Sequence, residues 1–107
     1  MKKVFVCSPY RGNIPDNTRR AALYCKLAVK AGLLPIAPHL YFTRFFNEAD
    51  EDERNLGIAM GIELMQLCDE MWVFGKPTEG MKREIRAWKR LARESERGEI
   101  TYMQEYL

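Results

Sequence analysis

The hydrophobic pattern contains four short segments that are typical of β-strands. Residues 4–7 form an apolar run without polar alternation, which indicates a strand covered on both faces. Further runs of strand length lie around residues 34–37, at 70–75 and at 98–103. Pro35 cannot donate a hydrogen bond to a neighbouring strand, so the second run is predicted to be an edge strand.

Three longer segments between these runs have the periodicity of helices. The first begins at residue 16, where Asp16 or Asn17 can cap it. Its predicted apolar face consists of Ala21, Cys25, Ala28, Val29 and Gly32. The second, residues 51–67, begins with acidic side chains, which helix N-termini favour. The third runs from residue 79 to residue 94, and Thr78 can cap it.

The alternation of strands and helices predicts the fold class. The order β-α-β-α-β-α-β implies an α/β domain spanning residues 1–107, with an open, mainly parallel four-stranded sheet and helices on both faces. Such a sheet is Rossmann-like or flavodoxin-like, and its ligand crevice lies outside the carboxyl ends of the strands. Two loops therefore become candidates for a binding site: SPYRG (residues 8–12) and GKPTEGM (residues 75–81).

The second predicted helix suggests self-association. Its polar residues Asp52, Asn55, Glu63 and Gln66 form a narrow stripe, and most of its other residues are apolar. One sheet face can cover only one side of such a helix, so a homodimer or larger homo-oligomer is expected to bury the rest. The C-terminal segment YMQEYL (residues 102–107) could contribute residues to the active site of a neighbouring subunit. An ordinary frayed end explains the segment equally well.

Composition and charge narrow the possible partners and compartments. The net charge of +2 is too small to indicate a nucleic-acid or membrane partner by itself. Three widely spaced cysteines and one histidine offer no metal-ligand pattern, so neither a metal nor another cofactor is expected. Free cysteines and the lack of a long apolar stretch predict a cytoplasmic protein.

The loop after the first strand can bind an anion. Arg11 can make bidentate contacts to a phosphate or a carboxylate, and the backbone around Gly12 and Asn13 can approach a ligand closely. The N-terminus of the following helix adds a positive dipole. A turn with a solvated arginine is the competing interpretation, and the position after a buried strand favours binding.

Glu84 stands out in the third predicted helix because no oppositely charged residue lies three or four positions away on that helix, where it could form an ion pair. The residues three and four positions away are Gly80, Met81, Ala87 and Trp88. Such a carboxylate, near the start of a helix that enters the crevice, suits a nucleophile or a general base. The competing interpretation is an ion pair with a distant arginine.

Two further patterns have weaker functional interpretations. The third helix carries a basic stripe, which is usually a solvated face and only rarely a nucleic-acid interface. The stripe consists of Lys82, Arg86, Lys89, Arg90 and Arg93. The aromatic segment YFTRFF (residues 41–46) could stack against a base or a sugar, although loop aromatics more often fill a core.

Three segments together resemble the nucleoside 2-deoxyribosyltransferase-like superfamily, and its small bacterial and phage branch of unassigned function most closely. They are VFVCSPYRG at the first strand, CDEMWVFG at the third, and TEGMKREI at the third helix. In that superfamily a helix glutamate attacks C1′ of a deoxyribosyl group and displaces the nucleobase. A second base or water then accepts the sugar.

The resemblance implies roles for particular residues. Glu84 matches the nucleophile, and the first loop matches the segment that holds the sugar, the base edge or a 5′-phosphate. Arg11 would contact phosphate, while Tyr10 with Tyr41 or Phe42 would pack on the base or sugar. The candidate substrate-binding residues are Ser8, Tyr10, Arg11, Gly12, Asn13, Tyr41, Thr78, Gly80 and Met81. The expected ligand is a nucleoside or nucleotide. A non-catalytic nucleotide-sensing module and a basic nucleic-acid-binding domain are the alternatives.

Overall fold

A four-stranded sheet lies at the centre of the protein in the computed structural model, which describes residues 1–103. Its strands are β1 (Lys3–Cys7), β2 (Leu34–Ile36), β3 (Glu70–Phe74) and β4 (Thr101–Met103). Their order is β2-β1-β3-β4, and every neighbouring pair is parallel. The predicted open parallel sheet is thus confirmed, with Pro35 on an edge strand. The fourth strand is shorter than predicted.

The helices are α1 (Ile14–Lys30), α2 (Pro38–Tyr41), α3 (Glu51–Met65) and α4 (Glu79–Glu94). A 3₁₀ turn, Phe42–Arg44, follows α2. The bounds of α4 and its cap agree with the prediction, because the Thr78 side chain accepts a hydrogen bond from the Met81 N–H. The aromatic segment 41–46, predicted to be a loop, instead begins with the last residue of α2 and contains the 3₁₀ turn.

Helix α1 begins two residues earlier than predicted, and the predicted caps are wrong. Asn13 caps it, with its side-chain oxygen accepting from the Asp16 N–H at 3.2 Å. Pro15 lies in the first turn of the helix. A backbone N–H at this position would have no acceptor within the helix, so its absence from proline costs no hydrogen bond. Asn17 lies inside the helix and donates to the carbonyl oxygens of Tyr10 and Arg11.

Helices cover both faces of the sheet, which explains why β1 lacks polar alternation. Helix α1 packs on the face that carries Val4 and Val6, while α3 and α4 pack on the face that carries Phe5 and Cys7. Both sides of a strand in this position must be apolar. The carboxyl end of β1 therefore emerges between two helical layers.

The predicted apolar face of α1 is partly wrong. Ala21 and Ala28 are buried, but Val29 is 59% exposed. Gly32 lies beyond the helix, in a turn with φ of +82°. Tyr24 completes the buried face instead, and its ring stacks on Phe74 with 3.9 Å between the centroids. Because tyrosine carries a polar hydroxyl group, the hydrophobic pattern does not identify its ring as part of the core.

Helix α3 exposes part of its apolar surface. Leu56 is 46% exposed, and Leu67, just beyond the helix end, is 60% exposed. Met60 and Leu64 are partly buried. Self-association through this surface stays a prediction. The proposed role of the C-terminal segment depends on residues 104–107, which lie outside the described residues.

Candidate functional site

A cavity of about 250 Å³ opens at the carboxyl ends of the central strands. Its walls come from the loop after β1, from α2 and the following turn, from α3, and from the first turns of α4. The strand order places β2 and β3 on opposite sides of β1, so this edge is a topological switch point. The cavity thus lies where the fold class predicts a ligand crevice.

Most of the candidate residues meet at this cavity. Its lining includes Ser8, Tyr10, Arg11, Thr78, Gly80, Met81 and Glu84. Gly12, Asn13 and Tyr41 are not among the lining residues. Gly12 adopts a φ of +104° in the turn before α1, and Asn13 is the cap of that helix. Tyr41 is 63% exposed, and its ring contacts Phe42 and Phe45.

Glu84 has an unusual environment for a carboxyl group. Its Oε1 accepts a hydrogen bond from the Cys7 thiol at 3.3 Å. Burial raises its pKa to about 7, although the Cys7 hydrogen bond and the charge of Arg83 act in the opposite direction. Among the described residues Glu84 takes part in no ion pair, which argues against a distant arginine partner. Glu84 is therefore available for chemistry at neutral pH.

A glycine on α3 leaves room above this carboxyl group. A Cβ at Gly61 would lie 3.1 Å from Pro38 Cβ and 4.0 Å from Glu84 Oε2. Gly61 thus lets α3 approach α2 closely beside Glu84. Arg83, next to Glu84 in sequence, donates instead to Asn55 Oδ1 on α3 at 3.0 Å. These contacts hold the first turns of α4 against α3.

The Cys7 contact leads to a prediction for the pKa of Glu84. In Cys7→Ala we expect this pKa to rise further, because the donated hydrogen bond that stabilises the carboxylate is lost. Cys7→Ser retains a donor and serves as the matched control, with a smaller change. A carbon-detected NMR titration of the Glu84 carboxyl would measure both values. An unchanged pKa in the alanine variant would show that the contact has no electrostatic effect.

The sequence reasoning missed His39, the histidine that lines the cavity beside Glu84. Its Nε2 lies 3.5 Å from Ser8 Oγ, and its ring centroid is 5.7 Å from that of Tyr10. Burial lowers its pKa to about 4, so the imidazole is neutral at pH 7. Its position directly after β2, at the same sheet edge as Ser8, was the available signal.

An ion network forms another wall of the cavity. Arg11 donates through Nε to Glu48 Oε1 and through Nη2 to the Glu48 carbonyl oxygen, both at 3.1 Å. The largely buried Arg54 donates to the same Oε1 at 3.2 Å. Four carboxyl groups and two guanidinium groups line the cavity: Glu48, Glu53, Glu79 and Glu84 with Arg11 and Arg54. The lining is acidic overall, which the sequence reasoning about Arg11 did not foresee.

Aromatic rings form the apolar part of the lining. Phe42 and Phe46 stack with 6.0 Å between their centroids, and Tyr10 contributes from the loop after β1. Ser8, Thr43 and Thr78 also line the cavity. Flat apolar walls with a few polar groups are typical of small-molecule sites. Within residues 1–103 no group of histidine, cysteine and acidic residues is arranged to hold a metal ion.

The fold is an open, parallel, Rossmann-like α/β domain with a cavity at its switch point. The chain belongs to the family described as a domain of unknown function (DUF7768), whose family model matches residues 2–97. No curated protein and no solved structure matches the chain. In the described part of the chain, no helix has the length and apolar character needed to cross a membrane.

Proposed function

We propose that this protein binds a nucleoside or nucleotide and cleaves or exchanges its N-glycosidic bond, with Glu84 as nucleophile. The proposal rests on the Glu84 carboxyl group, which has no ion-pair partner among residues 1–103 and lines a cavity with aromatic walls. The resemblance to the nucleoside 2-deoxyribosyltransferase-like superfamily supports the same role for Glu84. We also propose a reducing, cytoplasmic setting, since Cys7, Cys25 and Cys68 are free.

The proposed reaction follows the logic of a retaining glycosidase. An oxygen of ionised Glu84 bonds to C1′ while the bond from C1′ to the base nitrogen breaks, and the base leaves with the electron pair. A second base or a water then displaces Glu84 from C1′. Tyr10 and Phe42 would pack on the base or sugar, and the nearby hydroxyl groups would bind the sugar.

The charge of the cavity favours an uncharged substrate. Arg11, the proposed phosphate contact, already donates twice to Glu48. The four carboxyl groups in the lining outnumber its two guanidinium groups, and this excess of acidic groups disfavours a doubly charged phosphate. The cavity volume of about 250 Å³ is slightly below the usual range for small-molecule sites, roughly 300–1,000 Å³. We therefore propose that nucleosides are better substrates than their 5′-monophosphates.

A panel of ribonucleosides, 2′-deoxyribonucleosides and their 5′-monophosphates tests this function, with free base measured by chromatography. We expect base release from at least one nucleoside, at a higher rate than from its monophosphate. Faster release from the monophosphate would contradict the charge argument and return Arg11 to a phosphate-binding role. Release from no member of the panel would contradict the proposed activity.

Two other functions remain as alternatives within this proposal. A non-catalytic nucleotide-binding module is favoured by the raised pKa of Glu84, because a protonated carboxyl group can donate a hydrogen bond to a base. Saturable nucleoside binding without base release would support it. The basic stripe of α4 is exposed, and salt-dependent binding to oligonucleotides would support a nucleic-acid partner. This stripe is outside the cavity lining.

A further inference from the structure

We propose that His39 is the general base that activates water in the second half of the reaction, which makes the protein a hydrolase and not a transferase. This inference rests on the proposed function, because it concerns the fate of the sugar bound to Glu84. This inference is supported by the position of a partly buried imidazole and the candidate nucleophile, which line one small cavity from two different strand ends.

The position of His39 suits a base that acts on a small molecule inside the cavity. The residue belongs to α2, directly after β2, whereas Glu84 enters from α4 after β3. The two side chains therefore reach the cavity from different walls, and a sugar between them would be accessible to both. A general base must lie within hydrogen-bond reach of the proton that it removes, directly or through one water.

In the tautomer that carries its hydrogen on Nδ1, the Nε2 atom of His39 can accept a proton. Its neighbour, Ser8 Oγ, lies at 3.5 Å, the long limit for a hydrogen bond. A water that contacts both Nε2 and Ser8 Oγ would be held by two polar groups at the cavity wall. The Tyr10 ring packs against the imidazole and limits its rotation. Burial also keeps the ring neutral at pH 7, the state that a base requires, and makes it a weaker base than a free imidazole.

In the proposed step a water molecule releases the sugar from Glu84. The water oxygen attacks C1′, the bond from C1′ to Glu84 breaks, and its electron pair returns to the carboxylate. The water proton moves to His39 Nε2 and then leaves to solvent, where the departed base takes up a proton. The sum is one nucleoside and one water converted to a free sugar and a free base. An incoming base that is already an anion would need no such general base.

His39→Gln tests the role, because glutamine keeps a polar side chain but cannot accept the proton. We expect a burst of about one free base per active site and a sugar adduct on Glu84 detectable by intact-protein mass spectrometry. Steady-state release should then fall by roughly 10²- to 10⁴-fold, the usual contribution of a general base. Azide is a nucleophile that needs no deprotonation, so it should restore turnover and form a glycosyl azide.

Each outcome bears on the proposal. Steady-state release at the wild-type rate, or a defect that azide does not relieve, would overturn the role of His39 and leave Glu84 catalysis standing. If the wild-type protein released no base from any nucleoside, the proposed function and this inference would both be wrong. His39→Asn is the second variant if glutamine disturbs folding, which circular dichroism and cooperative urea unfolding would reveal.

Discussion

Glu84→Gln should abolish release of nucleobase while leaving the fold intact. An amide oxygen cannot form the covalent bond to C1′, so we expect the rate to fall by roughly a thousandfold or more, as when other catalytic nucleophiles are removed. The substitution preserves the shape of the side chain, and its carbonyl oxygen can still accept from the Cys7 thiol. Chromatographic measurement of free base, with saturating nucleoside, gives the rate.

The matched control for this variant lies on the same helix. Glu94→Gln removes an exposed carboxylate from the last turn of α4, outside the cavity lining, and should retain wild-type turnover. If Glu84→Gln released base at the wild-type rate, the covalent mechanism would be wrong. If it failed to unfold cooperatively, the carboxyl group would be structural and the loss of turnover uninformative.

The sequence predicted the parts of the fold that depend on local pattern. The apolar run of β1 and the amphipathic periodicity of α4 are strong signals over short distances, and the Thr78 cap follows from side-chain chemistry alone. The predicted start of α1 is two residues late, because asparagine and proline in the Asn13–Pro15 segment are equally typical of a loop. The short α2 was missed because four residues carry too little periodicity to indicate a helix.

The candidate site was predictable only where its residues follow strands that the pattern identified. Ser8 and Glu84 lie in or just after the two loops at the carboxyl ends of β1 and β3, so fold-level rules placed them together. Glu48 and Arg54 reach the cavity through an ion network with Arg11, and no local pattern reveals a contact of that kind. Such pairings depend on tertiary packing, and the electrostatic character of the cavity depends on them.

Glu84→Gln should also change how stability depends on pH, whatever reaction the cavity supports. Burial raises the pKa of Glu84 from its ordinary value of 4.5 to about 7 in the folded protein. The folded chain therefore keeps a proton that the unfolded chain loses as the pH rises between these values. The stabilisation from Glu84 is fully present below about pH 4.5 and is lost as the pH rises through about 7.

Glutamine is neutral throughout this pH range, so the variant does not lose stability through the titration of residue 84. The free energy of unfolding of Glu84→Gln, minus that of the wild type, should increase by about 1–3 kcal/mol between about pH 4 and pH 8. The upper figure corresponds to the full difference between the pKa of Glu84 in the folded and the unfolded protein. Water in the cavity would reduce the effect. Urea unfolding monitored by tryptophan fluorescence measures both proteins, since Trp72 and Trp88 are buried.

The comparison of the two proteins separates the effect of Glu84 from that of His39, which also lines the cavity and has a shifted pKa. His39 has a pKa lowered to about 4, so it contributes stability that is lost as the pH falls, which is the opposite sign. That contribution is common to the wild type and the variant and cancels in the difference. Parallel pH profiles for the two proteins would mean that Glu84 titrates as an ordinary surface carboxylate. Glu84 would then not retain its proton at neutral pH, and the main physical argument for a special role of this residue would be lost.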